Sequence, residues 1–262
     1  METLQFNKIR IQHSIWARKI RSLDHFTQAN NLPGIIRYGL VPRSRIDADP
    51  AIRSGASMND AFRRDGHRDA ICLSLSHPSY RMFYRYRAKS ENAEKAWVVI
   101  ELNPDLLYRD SRRCAFYSRN AASREMQRQD EAYLETADAF ERLFDDDGHR
   151  VVPAIYSGRG DFRLWDCYPT DPGAEVLYYG VIPFNSTNVR KVWFQNKKDE
   201  ETYAPLLPAG IKHGTYTGGS AKSYRNPFGP RFDFMNWGNG NSRKPFPAMD
   251  SNFGNTDIDD FF

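Results

Sequence analysis

The sequence has few cysteines and no long apolar run, and both shortages narrow the class of protein. Three cysteines stand among 262 residues, an odd number without the spacing of a metal site. They argue against a disulfide scaffold and for a reducing compartment. The longest uncharged apolar stretches are about five residues, as in Ala96–Ile100, and the N-terminus lacks the pattern of a signal peptide. We therefore expect a cytoplasmic globular protein without a membrane span.

Several catalytic motifs are missing as well. The sequence contains no P-loop and no strand–Gly-x-Gly-x-x-Gly–helix unit, so Walker and Rossmann chemistry are poorly supported. It also lacks Cys-x-x-Cys, His-Glu-x-x-His and Gly-x-Ser-x-Gly. These absences argue against a dedicated metal site and against the simplest serine hydrolase.

Arginine is in marked excess. The 37 basic residues comprise 27 Arg and 10 Lys, and aromatic residues make up 14% of the chain. The net charge of +4 combines +8 on residues 1–245 with −4 on residues 246–262. Arginine with aromatic side chains suits phosphate binding and base stacking. The composition therefore permits nucleic-acid binding, although an arginine-rich genome would produce the same excess.

The apolar pattern predicts an α+β fold. His25–Thr27 is predicted to be the end of a short strand, and further strands are predicted at 70–76, 96–102, 174–180 and 189–194. A short helix is predicted over 30–39, with an Asn cap at its start and Gly39 at its end. The longest predicted helix spans 121–143. The folded domain is predicted to cover 1–202, and 203–262 to form a Gly/Asn/Pro-rich extension.

Three separate places carry candidate functional residues. His25 and Thr27 precede the short helix, whose first amides could receive a phosphate or an amide group. Arg63 and Arg64 precede the strand at 70–76, and Glu175 enters an apolar strand directly from a turn-rich loop. Each also has a purely structural explanation. His25 could be a core or surface histidine, Arg63 and Arg64 a solvated pair, and Glu175 a side chain that faces solvent rather than a cleft.

Taken together, these segments resemble a known family. His25-Phe-Thr, Asn31-Leu, Ile36 and Gly39-Leu40, with Pro172-Gly-Ala-Glu175-Val-Leu, are similar to the DarT family of DNA ADP-ribosyltransferase toxins. The resemblance extends over about residues 20–195. It implies an ADP-ribosyltransferase fold, in which two small twisted β-sheets enclose an NAD cleft and helices pack outside.

The resemblance also implies roles for individual residues. Arg63 and Glu175 would be the catalytic arginine and glutamate, with Arg64 as the alternative to Arg63. The segment 116–174 would present the acceptor base. The residues that would bind NAD, as substrate, are His25, Phe26, Thr27, Asn31, Gly34 and Arg63.

The function implied is transfer of ADP-ribose from NAD to a nucleobase of single-stranded DNA by a toxin whose partner is a macrodomain antitoxin of the DarG type. The base is open. RNA as acceptor and a non-catalytic nucleic-acid-binding module are the alternatives.

The last residues carry a second pattern. Asp250–Phe262 is acidic and ends in two phenylalanines, as do the tails of bacterial single-stranded-DNA-binding proteins that dock on partner proteins. The segment could bind a protein partner, cover the basic cleft, or only balance charge.

Overall fold

In the part of the chain that the structure describes, seven strands form one sheet at the centre of the fold. The computed structural model describes residues 2–59, 63–145, 164–216, 226–229 and 231. Across the sheet the order is β4-β5-β2-β1-β3-β6-β7, and each neighbouring pair is antiparallel except the parallel pair β6 and β7. The strands are β1 (Leu23–Gln28), β2 (Ala70–Leu75), β3 (Trp97–Leu102), β4 (Cys114–Tyr117), β5 (Glu175–Tyr179), β6 (Val189–Phe194) and β7 (His213–Thr215).

Helices surround this sheet, and α1 packs against α7. The largest cluster of buried side chains includes Ile11 and Ile15 of α1, Leu73 of β2 and Phe140 of α7. Within the described ranges, no helix is long and apolar enough to cross a membrane. The helices are α1 (Glu2–Ala17), α2 (Leu32–Tyr38), α3 (Arg43–Ala48), α4 (Pro50–Arg53), α5 (Tyr80–Arg87), α6 (Glu131–Leu134), α7 (Ala137–Arg142) and α8 (Lys197–Tyr203).

The sheet consists of two halves that meet at one short junction. Strand β1 pairs with β3 along its whole length, over six residue pairs. With β2 it pairs at only two positions, Leu23 with Leu75 and Asp24 with Ser74. Beyond Asp24 the two strands separate. The α+β class is confirmed, and the two small sheets that were expected are the halves on either side of this junction.

One predicted helix is wrong. The segment 121–143 is not continuous but contains a 3-10 turn at Met126–Arg128 followed by the separate helices α6 and α7. The Asp130 side chain accepts from the Ala132 amide and caps α6, and Thr136 accepts from Ala139 and caps α7. Each cap starts a new helix, because a capping side chain replaces the hydrogen bonds that a longer helix would supply.

The ordered chain continues beyond the boundary predicted at residue 202. Strand β7 joins the sheet edge. Further on, Phe228 is buried against Phe83 and Trp97, and the Arg231 guanidinium donates to the carbonyls of Pro169 and Thr170. Part of 203–262 therefore packs on the domain, and the division into domain and extension stays a prediction. The tail 250–262 lies outside the described residues.

We expect Gly39→Ala to destabilise the fold. Gly39 ends α2 at a φ of +82°, and an added Cβ would lie 2.5 Å from the carbonyl oxygen of Ile182, with which Leu40 pairs. The strained backbone and the clash with a backbone atom should cost about 2–3 kcal/mol of unfolding free energy, measured by chemical denaturation.

Gly34→Ala is the matched control for Gly39→Ala. Gly34 lies inside α2 and has no atom within 4 Å of an added Cβ. Alanine there should leave stability unchanged or raise it by up to about 1 kcal/mol. Equal stability of the two variants would contradict this account of the turn.

Candidate active site

A cavity of about 210 Å³ lies where β1 and β2 separate. Its walls include the parts of the two strands that do not pair with each other, His25–Thr27 and Ala70–Cys72, together with residues of α2, α3 and α4. The structure thus brings together all six residues predicted to bind NAD, five from the segment 25–34 and one from the loop before β2. These are His25, Phe26, Thr27, Asn31, Gly34 and Arg63.

The His25 side chain makes a hydrogen bond across the gap between β1 and β2, where the two strands no longer pair with each other. Its Nδ1 lies 3.1 Å from the carbonyl oxygen of Cys72 on β2. A carbonyl can only accept, so Nδ1 carries the proton. Burial lowers the pKa of His25, although the bond to Cys72 opposes this change. A neutral ring protonated at Nδ1 keeps the lone pair of Nε2 as an acceptor at the cavity wall.

Phe26 joins the cavity to α5. Its ring stacks on Phe83 with the centroids 4.4 Å apart and the planes 15° from parallel. Phe83 also meets Trp97 of β3 edge-on. The phenyl group that was expected to bind NAD is therefore held in one orientation by aromatic packing.

Asn31 and Thr27 fix another part of the wall. The Asn31 amide donates to Thr27 Oγ1 and to the Ser57 carbonyl, both at 2.8 Å, and accepts from the Ser57 amide at 2.7 Å. The prediction that an Asn side chain caps the helix is wrong for Asn31, which stands at the N-cap position without a side-chain cap bond. The side chain instead ties β1 to the segment around Ser57, which also lines the cavity.

Arg63 is held rigidly in the wall. Its Nε and Nη2 donate to the two carboxylate oxygens of Asp65 at 3.0 and 2.7 Å, and Nη1 and Nη2 donate to the carbonyls of Ala70 and His67. Burial opposes the charge, but Cys72 and Asp65 raise the pKa of Arg63 above its already high ordinary value. Arg63 is therefore a permanent cation and cannot act as a base.

The backbone of Arg63 is strained as well. Its φ is +41°, in the left-handed region that residues with a side chain seldom adopt. Arg64, the alternative in the sequence, is exposed, and its backbone carbonyl accepts from Gln127. Of this pair, Arg63 has the side chain that lines the cavity. Strain of this kind clusters at functional sites.

Glu175 is buried at the first position of β5, with 9% of its surface exposed. The Asn120 amide donates to Oε1 at 3.1 Å, and the Ala121 backbone N–H donates to Oε2 at 3.0 Å. Of the two alternatives left by the sequence, a side chain facing solvent is excluded. Glu175 is not among the residues that line the cavity.

Burial raises the pKa of Glu175 to about 7. The Ala121 hydrogen bond and the charge of Arg63 oppose the rise, and the charge of Asp65 adds to it. The same charges reach Cys72 on the cavity wall, whose pKa is raised by burial and by Glu175. Glu175 is thus coupled electrostatically to the wall, and its carboxyl can gain or lose a proton near neutral pH.

A family model described as DarT, ssDNA thymidine ADP-ribosyltransferase, matches residues 25–216. The chain belongs to the DarT family. The expected enzyme class, an NAD-dependent DNA ADP-ribosyltransferase, is confirmed by this membership. The matched residues include every residue predicted for the site. A search of curated proteins finds no match to the chain.

Solved DarT structures are similar at low identity. The DarT of Thermus sp. 2.9 in complex with ADP-ribosylated ssDNA is 13% identical, with a TM-score of 0.48 over 75% of this chain and 94% of that one. Its complex with NAD+ is 14% identical, with a TM-score of 0.45 over 75% and 96%. Thermosipho africanus DarTG in complex with ADP-ribose is 12% identical, with a TM-score of 0.47 over 74% of this chain. This chain spans 49% of the length of that DarTG chain.

Some residues around this DarT-family site escaped the sequence reasoning. Asp65 holds Arg63, and Asn120 holds Glu175, yet neither was singled out for such a role. The position of Asp65 two residues after Arg63 was a signal, because a bidentate carboxylate is a frequent partner of a buried guanidinium.

Glu175→Gln should change how stability depends on pH. A carboxyl whose pKa is higher in the folded than in the unfolded state favours folding when protonated, so wild-type stability falls as pH rises from about 4.5 to 7. A glutamine side chain does not ionise, so the variant does not lose this stability as the pH rises. Relative to wild type, its unfolding free energy should therefore gain on the order of 2–3 kcal/mol between pH 5 and pH 8.

Glu201→Gln, at an exposed glutamate of α8, is the control and should follow wild type across this range. Denaturant titrations at each pH supply the measurement. A gap between Glu175→Gln and wild type that stays constant, or that shrinks with rising pH, would show that Glu175 is ionised normally.

Proposed function

We propose that this chain transfers ADP-ribose from NAD to the base of thymidine in single-stranded DNA and releases nicotinamide. One observation carries the assignment to these residues: the six residues expected to bind NAD line one cavity, and a buried glutamate with a pKa near neutral is coupled electrostatically to its wall. The family description supports the choice of thymidine over other bases.

In this proposal the nicotinamide half of NAD occupies the cavity between β1 and β2. His25 offers an acceptor at Nε2, and Phe26 offers an aromatic face. Gly34 leaves open space in α2, where an added Cβ would meet nothing within 4 Å. A mostly apolar pocket with a few convergent polar groups is what a nicotinamide ring requires.

Glu175 supports the transfer step, in which the ribose–nicotinamide bond breaks and the bond to the base forms. The bond between ribose C1′ and the nicotinamide nitrogen breaks, and nicotinamide leaves as a neutral molecule while C1′ becomes oxocarbenium-like. A nearby carboxylate stabilises this positive charge and orients the ribose. A ring nitrogen of the base then forms the new bond to C1′ and loses its proton. A carboxylate with a pKa of about 7 can accept that proton, directly or through water.

Arg63 supplies fixed positive charge rather than proton transfer. Four of its five N–H donors bond to described residues, so the guanidinium is oriented before any substrate arrives. From the cavity wall it can polarise a carbonyl or hold a phosphate. Asp65 keeps it in place. This preorganisation explains why a residue that cannot act as a base still belongs to the catalytic machinery.

The same proposal includes a single-stranded acceptor and a toxin role. Chemistry on a base requires an unstacked nucleotide, which favours a single strand. Exposed arginines such as Arg64 and Arg68 lie in the loop that carries Arg63 and can contact phosphates. Membership of the DarT family supports a toxin whose partner is a macrodomain antitoxin.

An oligonucleotide panel tests the reaction. Wild-type protein with NAD should add one ADP-ribosyl group to a DNA strand that contains a single thymidine, as a mass shift with stoichiometric nicotinamide release. The same strand with that thymidine replaced should stay unmodified. Modification of only the matching RNA, or nicotinamide release without any nucleic-acid product, would overturn the proposal.

Matched variants locate the catalytic residues in this assay. Glu175→Gln should lower kcat/KM by about 10³-fold or more, because it removes the only charge proposed to balance C1′. Arg63→Ala should lower it about 100-fold, while Arg64→Ala should stay within about threefold. If Arg64→Ala is the inactive member of the pair, the arginine assignment is wrong by one position.

A further inference from the structure

His67 uses both of its ring nitrogens on tyrosines of the neighbouring strands. Its Nε2 lies 2.9 Å from Tyr117 Oη of β4, and its Nδ1 lies 3.0 Å from Tyr179 Oη of β5. Burial raises the pKa of both tyrosines, that of Tyr179 to about 12, so the hydroxyls keep their protons. A neutral imidazole donates with one nitrogen and accepts with the other. A tyrosine hydroxyl can accept from the first nitrogen or donate to the second.

The backbone of the same residue faces the Arg63 side. The His67 carbonyl accepts from Arg63 Nη2 at 2.5 Å, and the His67 amide donates to Asp65 Oδ1 at 3.3 Å. One residue therefore contacts the Arg63–Asp65 pair with its backbone and two strands of the sheet with its ring. A side chain of the same size without two polar atoms would fill the space without fixing the loop.

These two strands are the ones that hold Glu175. Glu175 is the first residue of β5, and Tyr117 lies opposite it in the β4–β5 register. The loop 63–69 and the glutamate belong to segments that are distant in sequence. The bonds of His67 to Tyr117 and Tyr179 are thus a direct connection between the loop that carries Arg63 and the sheet half that carries Glu175.

We propose that His67 is a positioning residue for the transfer reaction, which sets the distance between the Arg63 guanidinium and the Glu175 carboxylate. The inference rests on the proposed function, since it assigns His67 to that same site. His67 does not act on NAD or on the base. A displacement of about 1 Å between catalytic groups can lower the rate by about 100-fold. We call the pair of bonds from His67 to Tyr117 and Tyr179 the clamp, and its loss should therefore have a measurable effect.

Single and double variants test the clamp in the thymidine transfer assay. His67→Ala should lower kcat/KM by about 10- to 100-fold, with a raised KM for NAD, and His67→Gln should recover most of it because its amide both donates and accepts. Tyr117→Phe and Tyr179→Phe should each cost about 3- to 10-fold in wild type and nothing further in His67→Ala.

Tyr178→Phe is the matched control. It makes the same chemical change on β5, but the Tyr178 hydroxyl bonds to Asp110 instead of His67. Its kcat/KM should stay within about twofold of wild type. The proposal is overturned if folded His67→Ala retains wild-type kcat/KM, or if the tyrosine variants keep their full effect without His67. A purely structural role for His67 would lower thermal stability and leave the KM for NAD unchanged.

Two measurements separate this inference from the proposed function. Hydrogen exchange of the amides in 63–70 should accelerate in His67→Ala, and the affinity for NAD by calorimetry should fall. Neither depends on DNA modification. If wild type modifies no nucleic acid, the proposed function fails while these readouts still decide the clamp. Unchanged exchange and unchanged NAD affinity in His67→Ala would overturn it.

Discussion

The separation of β1 from β2 after two residue pairs is the constraint on which the site depends. A sheet that stayed paired along both strands would satisfy its backbone groups within the ladder and leave no cavity. Here His25 replaces part of the missing ladder by donating to the Cys72 carbonyl. Residues of α2, α3 and α4 line the other side of the gap, so the split in the sheet becomes a pocket with polar groups on both strands.

The charged groups beside this pocket differ in whether they can exchange a proton. Asp65 forms an ion pair with Arg63 and holds the guanidinium in place. Glu175 receives two N–H donors but remains in a buried position, where desolvation raises its pKa. Arg63 is therefore fixed as a cation while Glu175 can exchange a proton near neutral pH. In many enzymes the roles of two titratable groups differ in the same way, because their environments shift their pKa values apart.

Local pattern predicted five of the seven described strands but not the short strands β4 and β7, and resemblance to a family was needed for the site. Alternation and apolar runs predicted β1, β2, β3, β5 and β6, because a half-buried strand requires that spacing. Contacts distant in sequence were not accessible: His67 meets tyrosines 50 and 112 residues away. The helix predicted over 121–143 failed because Asp130 and Thr136 act as caps, and helical spacing of apolar residues does not reveal such interruptions.

The proposed reaction requires that the pocket between β1 and β2 holds the nicotinamide half of NAD within reach of Glu175. A crystal structure of the Glu175→Gln variant with NAD and a thymidine-containing DNA strand tests it most directly. We expect the nicotinamide ring in the cavity lined by His25, Phe26 and Cys72, with the attached ribose within hydrogen-bond distance of position 175. NAD bound at another place, or a ribose directed away from β5, would contradict it.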